Sequence, residues 1–76
     1  MSEYHCLNDL KPGQTARVLS LTATKSARRR LLDLGLVEQT LVRCVGKSPS
    51  GDPKAYLIRG AVIAIRSVDG KNIRIE

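Results

Sequence analysis

Aromatic side chains are scarce in this chain. It has no Trp and no Phe, and two tyrosines, Tyr4 and Tyr56, make up its 3% aromatic content. Proteins that bind single-stranded nucleic acid stack bases on aromatic rings, so at most one or two bases could stack here. Nucleic-acid binding therefore stays an alternative that depends on positive charge alone, which supports only weak, salt-sensitive association.

Groups that carry out catalysis are also few. His5 is the single histidine, and a nucleophilic site needs a nucleophile, a base and usually an orienting group. The candidate acids Asp33, Asp52 and Asp69 lie in a predicted helix and in two turns, where aspartate has ordinary structural roles. None of the 6 glycines belongs to a Gly-x-Gly-x-x-Gly or Walker pattern that would cradle phosphate. We therefore expect a protein that is not an enzyme.

The chain has only 2 cysteines, Cys6 and Cys44. This number is too small for the multi-bridge framework of a small secreted domain, and no Cys-x-x-Cys pair is present. Adjacent His5 and Cys6 are poorly spaced to share a tetrahedral metal ion, and Cys44 alternates with Val42 as a small buried hydrophobe would. We expect reduced thiols, no metal site and no cofactor.

Long hydrophobic runs are missing as well. The longest purely apolar run, Ala61–Ile65, is five residues, far short of the about 20 residues that cross a bilayer as a helix. The first residues, Met1–Asp9, have no apolar core of a signal peptide. These observations predict a cytoplasmic protein that does not insert into a membrane.

Positive charge, by contrast, is abundant. The 76 residues, enough for one small domain over residues 1–76, carry 13 Lys and Arg against 7 Asp and Glu, with a net charge of +6. Only Arg28, Arg29 and Arg30 form a cluster in the sequence. Such a balance favours an acidic partner, and so small a core leaves little room for a deep cleft. We expect a surface that binds.

The hydrophobic pattern predicts five strands and one helix. Two leucines three apart, Leu7 and Leu10, suggest one helical turn before the first strand, and the period changes to that of an amphipathic helix between Thr24 and Gly35. The predicted strands are Thr15–Leu21, Thr40–Val45, Lys54–Ile58, Ala61–Arg66 and Asn72–Glu76. An open flat sheet would leave two bare edges, so these elements favour a small SH3-like β-barrel with the helix inserted between strands 1 and 2.

The helix is expected to close one end of the barrel. Thr24 or Ser26 can cap its first N–H groups, and Gly35 suits the left-handed residue after its last turn. The apolar residues expected to meet are Ala27, Leu31 and Leu34 of the helix and Ile63, Ile65, Ile73 and Ile75 of the strands. Asp69-Gly70 is predicted to be a turn.

The arginine triplet admits two interpretations. The helix dipole disfavours positive charge in the first half of a helix, so helix stability does not explain Arg28, Arg29 and Arg30. They form either a solvated face, with Arg29 and Asp33 loosely paired, or the rim of a contact with an acidic partner. In the second case an exposed apolar residue, Leu32 or Leu36, would supply the centre of the contact. The loop Gly51, Asp52 and Pro53 is a second candidate contact.

Four segments together resemble the FeoA family of ferrous iron transport proteins. These are Leu7–Gly13 (LNDLKPG), Arg28–Leu36 (RRRLLDLGL), Ser48–Pro53 (SPSGDP) and Arg59–Arg66 (RGAVIAIR). The likeness runs almost from end to end, and the order of the segments is more specific than any one of them.

The resemblance implies an SH3-like barrel in the prokaryotic cytoplasm. It also implies an accessory or regulatory role for a FeoB-type membrane iron transporter, through protein–protein docking on its cytosolic GTP-binding domain. Whether such a protein activates or restrains transport, and whether it self-associates, stays open at this point.

Overall fold

A computed structural model describes residues 5–76, and Tyr4 therefore lies outside the described residues. The chain forms one antiparallel sheet of six strands in the order β1-β6-β2-β3-β4-β5. The strands are β1 (His5–Cys6), β2 (Thr15–Leu21), β3 (Leu41–Lys47), β4 (Lys54–Ile58), β5 (Ala61–Ile65) and β6 (Ile73–Ile75). The helical elements are a 3-10 turn (Leu7–Asp9), helix α1 (Lys25–Asp33) and helix α2 (Ser67–Gly70).

The mainly β architecture and the position of the helix are confirmed, but the number of strands is wrong. The expected five strands are β2 to β6, and the sixth, β1, has two residues, too few to show alternation. The expected turn at Asp69-Gly70 is the end of helix α2. Strands β1 and β5 are the edges of the described sheet, so backbone pairing does not close it into a full cylinder.

Strand β2 encloses the core by changing partner along its length. Thr15 to Arg17 pair with β3, whereas Val18 to Leu21 pair with β6, with a register shift between Val18 and Ser20. The two halves of the sheet therefore share β2, and their buried residues form a single cluster. A curved sheet of this kind buries one face without complete closure.

The core contains most of the apolar residues that periodicity selected. Leu31, Ile65, Ile73 and Ile75 are buried. Leu34 and Ile63 are partly buried and pack against the same cluster, while Ala27 is half-buried. The buried cluster consists of Leu7, Leu10, Ala16, Val18, Leu31, Leu36, Val42, Cys44, Tyr56, Ile58, Ile65, Ile73 and Ile75.

Strand β4 holds the 3-10 turn against the sheet through two side chains. The Tyr56 hydroxyl donates a hydrogen bond of 3.1 Å to the Leu7 carbonyl. The Lys54 ammonium donates to the carbonyls of Asn8, at 2.6 Å, and Leu10, at 3.0 Å. Burial raises the pKa of the Tyr56 phenol well above its ordinary value, so this hydroxyl stays protonated and able to donate.

Candidate protein-docking site

The end of helix α1 determines which of its leucines face solvent. Gly35 has a φ of 97°, and its N–H donates to the Leu32 carbonyl at 2.9 Å, while the Leu36 N–H donates to the Leu31 carbonyl at 3.1 Å. These two bonds form a Schellman motif, in which the residue after the glycine folds back onto the last helical turn. Leu31 and Leu36 are accordingly 1% and 0% exposed.

The expectation that Leu36 is an exposed contact residue is therefore wrong. The left-handed Gly35 reverses the chain and carries the Leu36 side chain into the core beside Leu31. A Cβ at position 35 would lie 3.1 Å from Cδ of Arg59, so the glycine also allows close approach of the turn between β4 and β5. Leu32 is half-buried and stays available at the surface.

The three arginines do not form one patch. Successive helical residues are rotated by about 100°, and each of these side chains meets a different neighbourhood. Arg29 pairs with Asp33 through Nε and Oδ1 at 3.6 Å, with both side chains largely exposed, as expected for a solvated helix face. Arg30 donates from Nη2 to Asp69 Oδ1 at 2.6 Å, which ties α1 to α2.

Thr24 occupies the N-cap position of α1, but its side chain makes no capping hydrogen bond.

Arg28 is the arginine that lies beside apolar surface. It lines a groove of about 260 Å³ together with two of the predicted contact residues, Leu32 and Leu36. We call this the α1 groove; its lining residues are Ser20, Leu21, Arg28, Leu32, Leu36, Val37 and Glu38. Within residues 5–76 no ion pair engages Arg28, so its charge is available at the groove.

Val37 is a groove residue that the hydrophobic pattern of the sequence did not predict. Its side chain is 38% exposed and lines the α1 groove. The Schellman motif buries Leu36 and leaves the next residue, Val37, at the surface. The exposure of Val37 therefore depends on a turn that the hydrophobic pattern does not reveal. The groove thus combines the positive charge of Arg28 and the negative charge of Glu38 with apolar surface from Leu32 and Val37.

The Gly51, Asp52 and Pro53 loop lies against helix α2 and not in the α1 groove. Asp52 Oδ1 accepts a hydrogen bond of 2.8 Å from the Ser67 N–H, and its Oδ2 accepts one of 3.3 Å from the Ser67 hydroxyl. Gly51 has a φ of 90°, so the loop also needs a residue that tolerates the left-handed region. The loop carboxylate therefore has a structural role at the first residue of α2.

Helix α2 connects the Gly51, Asp52 and Pro53 loop to helix α1. Its first residue bonds Asp52, its third residue, Asp69, bonds Arg30, and Val68 between them is 61% exposed. Helix α2 was not predicted from the sequence, because its four residues are too few to show a helical period. The candidate acids Asp33, Asp52 and Asp69 thus all have structural partners.

The described residues offer little to other kinds of site. Tyr56 is 1% exposed, so it provides no surface for stacking a base. Within residues 5–76, no three side chains among His, Cys, Asp and Glu come together as ligands for a metal ion. In the same part of the chain, no helix has the length and apolarity needed to cross a bilayer.

Comparisons with known proteins bear on the fold and the family of the chain. The family model described as the FeoA domain matches residues 5–76. The chain is similar to the FeoA-like protein of Clostridium acetobutylicum, at 30% identity and a TM-score of 0.90, over 100% of this chain and 88% of that one. It is also similar to the FeoA protein of Chlorobium tepidum, at 33% identity and a TM-score of 0.87, over 95% of this chain and 69% of that one.

A third similar structure is that of Stenotrophomonas maltophilia FeoA complexed with zinc, described as a prokaryotic SH3 domain protein and a candidate activating factor for ferrous iron transport. Its identity is 29% and its TM-score 0.84, over 95% of this chain and 89% of that one. A manganese-dependent transcriptional repressor, at 15% identity and a TM-score of 0.86 over 100% of this chain and 37% of that one, shares the fold alone. No curated protein sequence matches the chain. The SH3-like expectation is confirmed by these structures.

Proposed function

Because the chain belongs to the FeoA family, we propose that it is a non-catalytic, cytoplasmic accessory protein of ferrous iron transport. In this proposal it docks on the cytosolic GTP-binding domain of a FeoB-type membrane transporter and supports or regulates iron uptake. The S. maltophilia relative, described as a candidate transport activating factor, supports the coarse role. The docking partner is our own assignment.

The observation that carries the proposal is the α1 groove. Arg28 lies there beside half-buried Leu32 and exposed Val37, with Glu38 as the one acidic residue of the lining. Protein interfaces commonly join an apolar centre to a charged rim, and the rim charges steer the approach of the partner. The net charge of +6 adds long-range attraction towards an acidic surface.

The other predicted contact residues contribute less to docking than the α1 groove does. They are Arg29, Arg30 and the loop residues Gly51, Asp52 and Pro53. Arg29 is exposed, and its pair with Asp33 is of a kind worth only about 0.2–0.5 kcal/mol, so it can turn to a partner at little cost. Arg30 already binds Asp69, and the loop already binds α2. These residues would position the surface next to the groove and contribute fewer direct contacts.

The experiment measures affinity for the transporter's purified cytosolic GTP-binding domain by titration calorimetry at low and moderate salt. Arg28→Ser combined with Arg29→Ser removes two charges from the docking surface and leaves the Arg30 pair intact. Lys11→Ser combined with Lys47→Ser removes the same charge elsewhere. We expect the arginine variant to bind about tenfold more weakly at low salt, or about 1.4 kcal/mol, and the lysine control to change much less.

Equal affinities of the two double variants would refute docking at the α1 groove. Absence of binding by the wild-type protein in every nucleotide state of the domain would refute the proposed partner. The nucleic-acid alternative is tested by capturing binding partners from lysate with and without nuclease. It is supported only if the captured material disappears on nuclease treatment and at high salt. Buried Tyr56 already weighs against that alternative.

A further inference from the structure

A second surface lies on the outward face of strands β3, β4 and β5. Leu41 and Val45 of β3, Leu57 of β4 and Val62 of β5 are among the most exposed large hydrophobic residues of the described chain, at 53%, 44%, 37% and 65%. The strand register places Arg43 beside Leu57 and Leu57 beside Val62. Apart from Arg43, the outward residues of this row are apolar, and the row reaches the open edge of the sheet.

The backbone of β5 is unpaired along that edge. A two-residue turn, Arg59-Gly60, joins β4 to β5, so Ile58 and Ala61 form the hydrogen-bonded pair that flanks it. Pairs alternate in an antiparallel ladder, which makes Val62 and Ala64 the residues whose N–H and C=O groups point away from β4. No other hydrogen bond within residues 5–76 involves these groups.

Natural sheets usually protect such an edge with charge, proline or a covering element. Strand β5 has the sequence AVIAI, without a charged residue or a proline. It also has no neighbouring strand on its outer side in the described sheet. An unprotected edge with an apolar row next to it is the arrangement that receives an added strand from a partner.

The charges around this edge restrict the occupant. Strands β3, β4 and β5, the turn between the last two and the residue after β5 contain basic residues and no Asp or Glu. Arg59 lies two residues before β5, Arg66 directly follows it, and Arg43 lies among the outward residues of β3. A second copy, paired so that Val62 faces Ala64 of its partner, would place Arg66 of each copy opposite Gly60 of the other, one residue from the partner's Arg59. Like charges would then lie close together at both ends, which disfavours self-pairing.

From this geometry we infer that β5 binds an extended, acidic segment of another protein as a seventh strand. Val62 and Ala64 supply the backbone hydrogen bonds, and apolar side chains at every second position of the segment pack on Val62 and Leu57. Carboxylates at its ends pair with Arg59 and Arg66. Since none of these residues lines the α1 groove, the site is independent of the proposed docking on the transporter.

The test follows backbone amides of the full chain by NMR during titration with a synthetic peptide. The probe is the acetylated peptide EVTVTVE, and KVTVTVK is its charge-reversed control. With the acidic peptide we expect the Val62 and Ala64 amides to shift and to exchange with solvent about tenfold more slowly. The Ile63 amide, which is already bonded to β4, should change little. The basic peptide should bind at least about tenfold more weakly.

Variants of the protein make the assignment specific. Ala64→Pro removes one outward N–H without removing a bond to β4, and its matched control, Ala64→Thr, keeps that N–H. We expect the proline variant to lose binding of the acidic peptide and the threonine variant to retain it. If Ala64→Pro lowers the thermal midpoint, Val62→Lys takes its place, since it removes the apolar contact and leaves the backbone donor.

Three results would overturn the inference. Equal affinity for the two peptides would show that charge does not select the bound segment. Protection of amides outside β5 would show that the peptide binds elsewhere on the protein. Dimers in sedimentation velocity without peptide, with Val62 and Ala64 already protected from exchange, would make a second copy the occupant of the edge.

Discussion

Replacement of Asp52 by Ala tests whether the loop before β4 stabilises the fold through its hydrogen bonds to helix α2. Asp52 Oδ1 accepts the Ser67 N–H at 2.8 Å, and Oδ2 accepts the Ser67 hydroxyl at 3.3 Å. The first bond satisfies a backbone donor at the start of α2, where a carboxylate is also favoured by the helix dipole. Both bonds are exposed, and the second is longer, so it contributes less.

The magnitude follows from these two bonds. A hydrogen bond to a charged group contributes about 1.5–3 kcal/mol, and partial exposure to water reduces this value. We therefore expect Asp52→Ala to lower the free energy of unfolding by about 1–2 kcal/mol. In a domain of this size, each kcal/mol corresponds to a fall in the midpoint temperature of about 4–8 °C.

Urea denaturation followed by circular dichroism measures the change, with two variants as controls. Asp52→Asn keeps one acceptor for the backbone N–H and should lose about half as much stability as Asp52→Ala. Ser67→Ala removes only the hydroxyl and should cost about 0.5 kcal/mol. The reasoning is refuted if Asp52→Ala is as stable as the wild type, or if Ser67→Ala is equally destabilising.

The other two predictions concern buried side chains. Leu36→Ala should lower the free energy of unfolding by about 2–5 kcal/mol, because Leu36 is fully buried, whereas Val37→Ala should change it by under about 1 kcal/mol; similar losses in chemical denaturation would contradict the Schellman assignment. Tyr56→Phe should cost about 1–3 kcal/mol at neutral pH by leaving the Leu7 carbonyl without its donor. Since folding raises the pKa of Tyr56, the folded state holds the phenolic proton more tightly than the unfolded state. The wild type should therefore lose stability as pH rises above about 10, and a decline of equal slope in Tyr56→Phe would show that another group is responsible.

Periodic segments could be located from the sequence with good accuracy. Strands β2 and β4 have the predicted bounds, and α1 begins after the predicted cap position Thr24 and ends before Gly35. Alternation and helical period are local properties, because they depend on which neighbours along the chain share a face. The partnership of Arg29 with Asp33 is local in the same sense.

Residues of the candidate site were harder to assign. Arg28, Leu32 and Leu36 do line one groove, but the Leu36 side chain is fully buried, and exposed Val37 supplies the apolar surface that was expected of Leu36. The loop at Asp52 and helix α1 both bind α2. Because α2 has too few residues to show a helical period, these contacts could not be predicted. The α2 contacts join residues far apart in the chain, whereas the burial of Leu36 follows from the turn geometry at Gly35, which no hydrophobic period reveals.

The amino-acid order alone determined the alternating strands, the amphipathic helix, the excess of positive charge and the scarcity of catalytic groups. Tertiary structure alone decided that β2 divides its pairing between β3 and β6, that Arg30 pairs with Asp69 of α2, and that β5 is left as an open edge. The physical reason is that local patterns select a face for each side chain, whereas pairing and burial depend on which distant segments meet across the core.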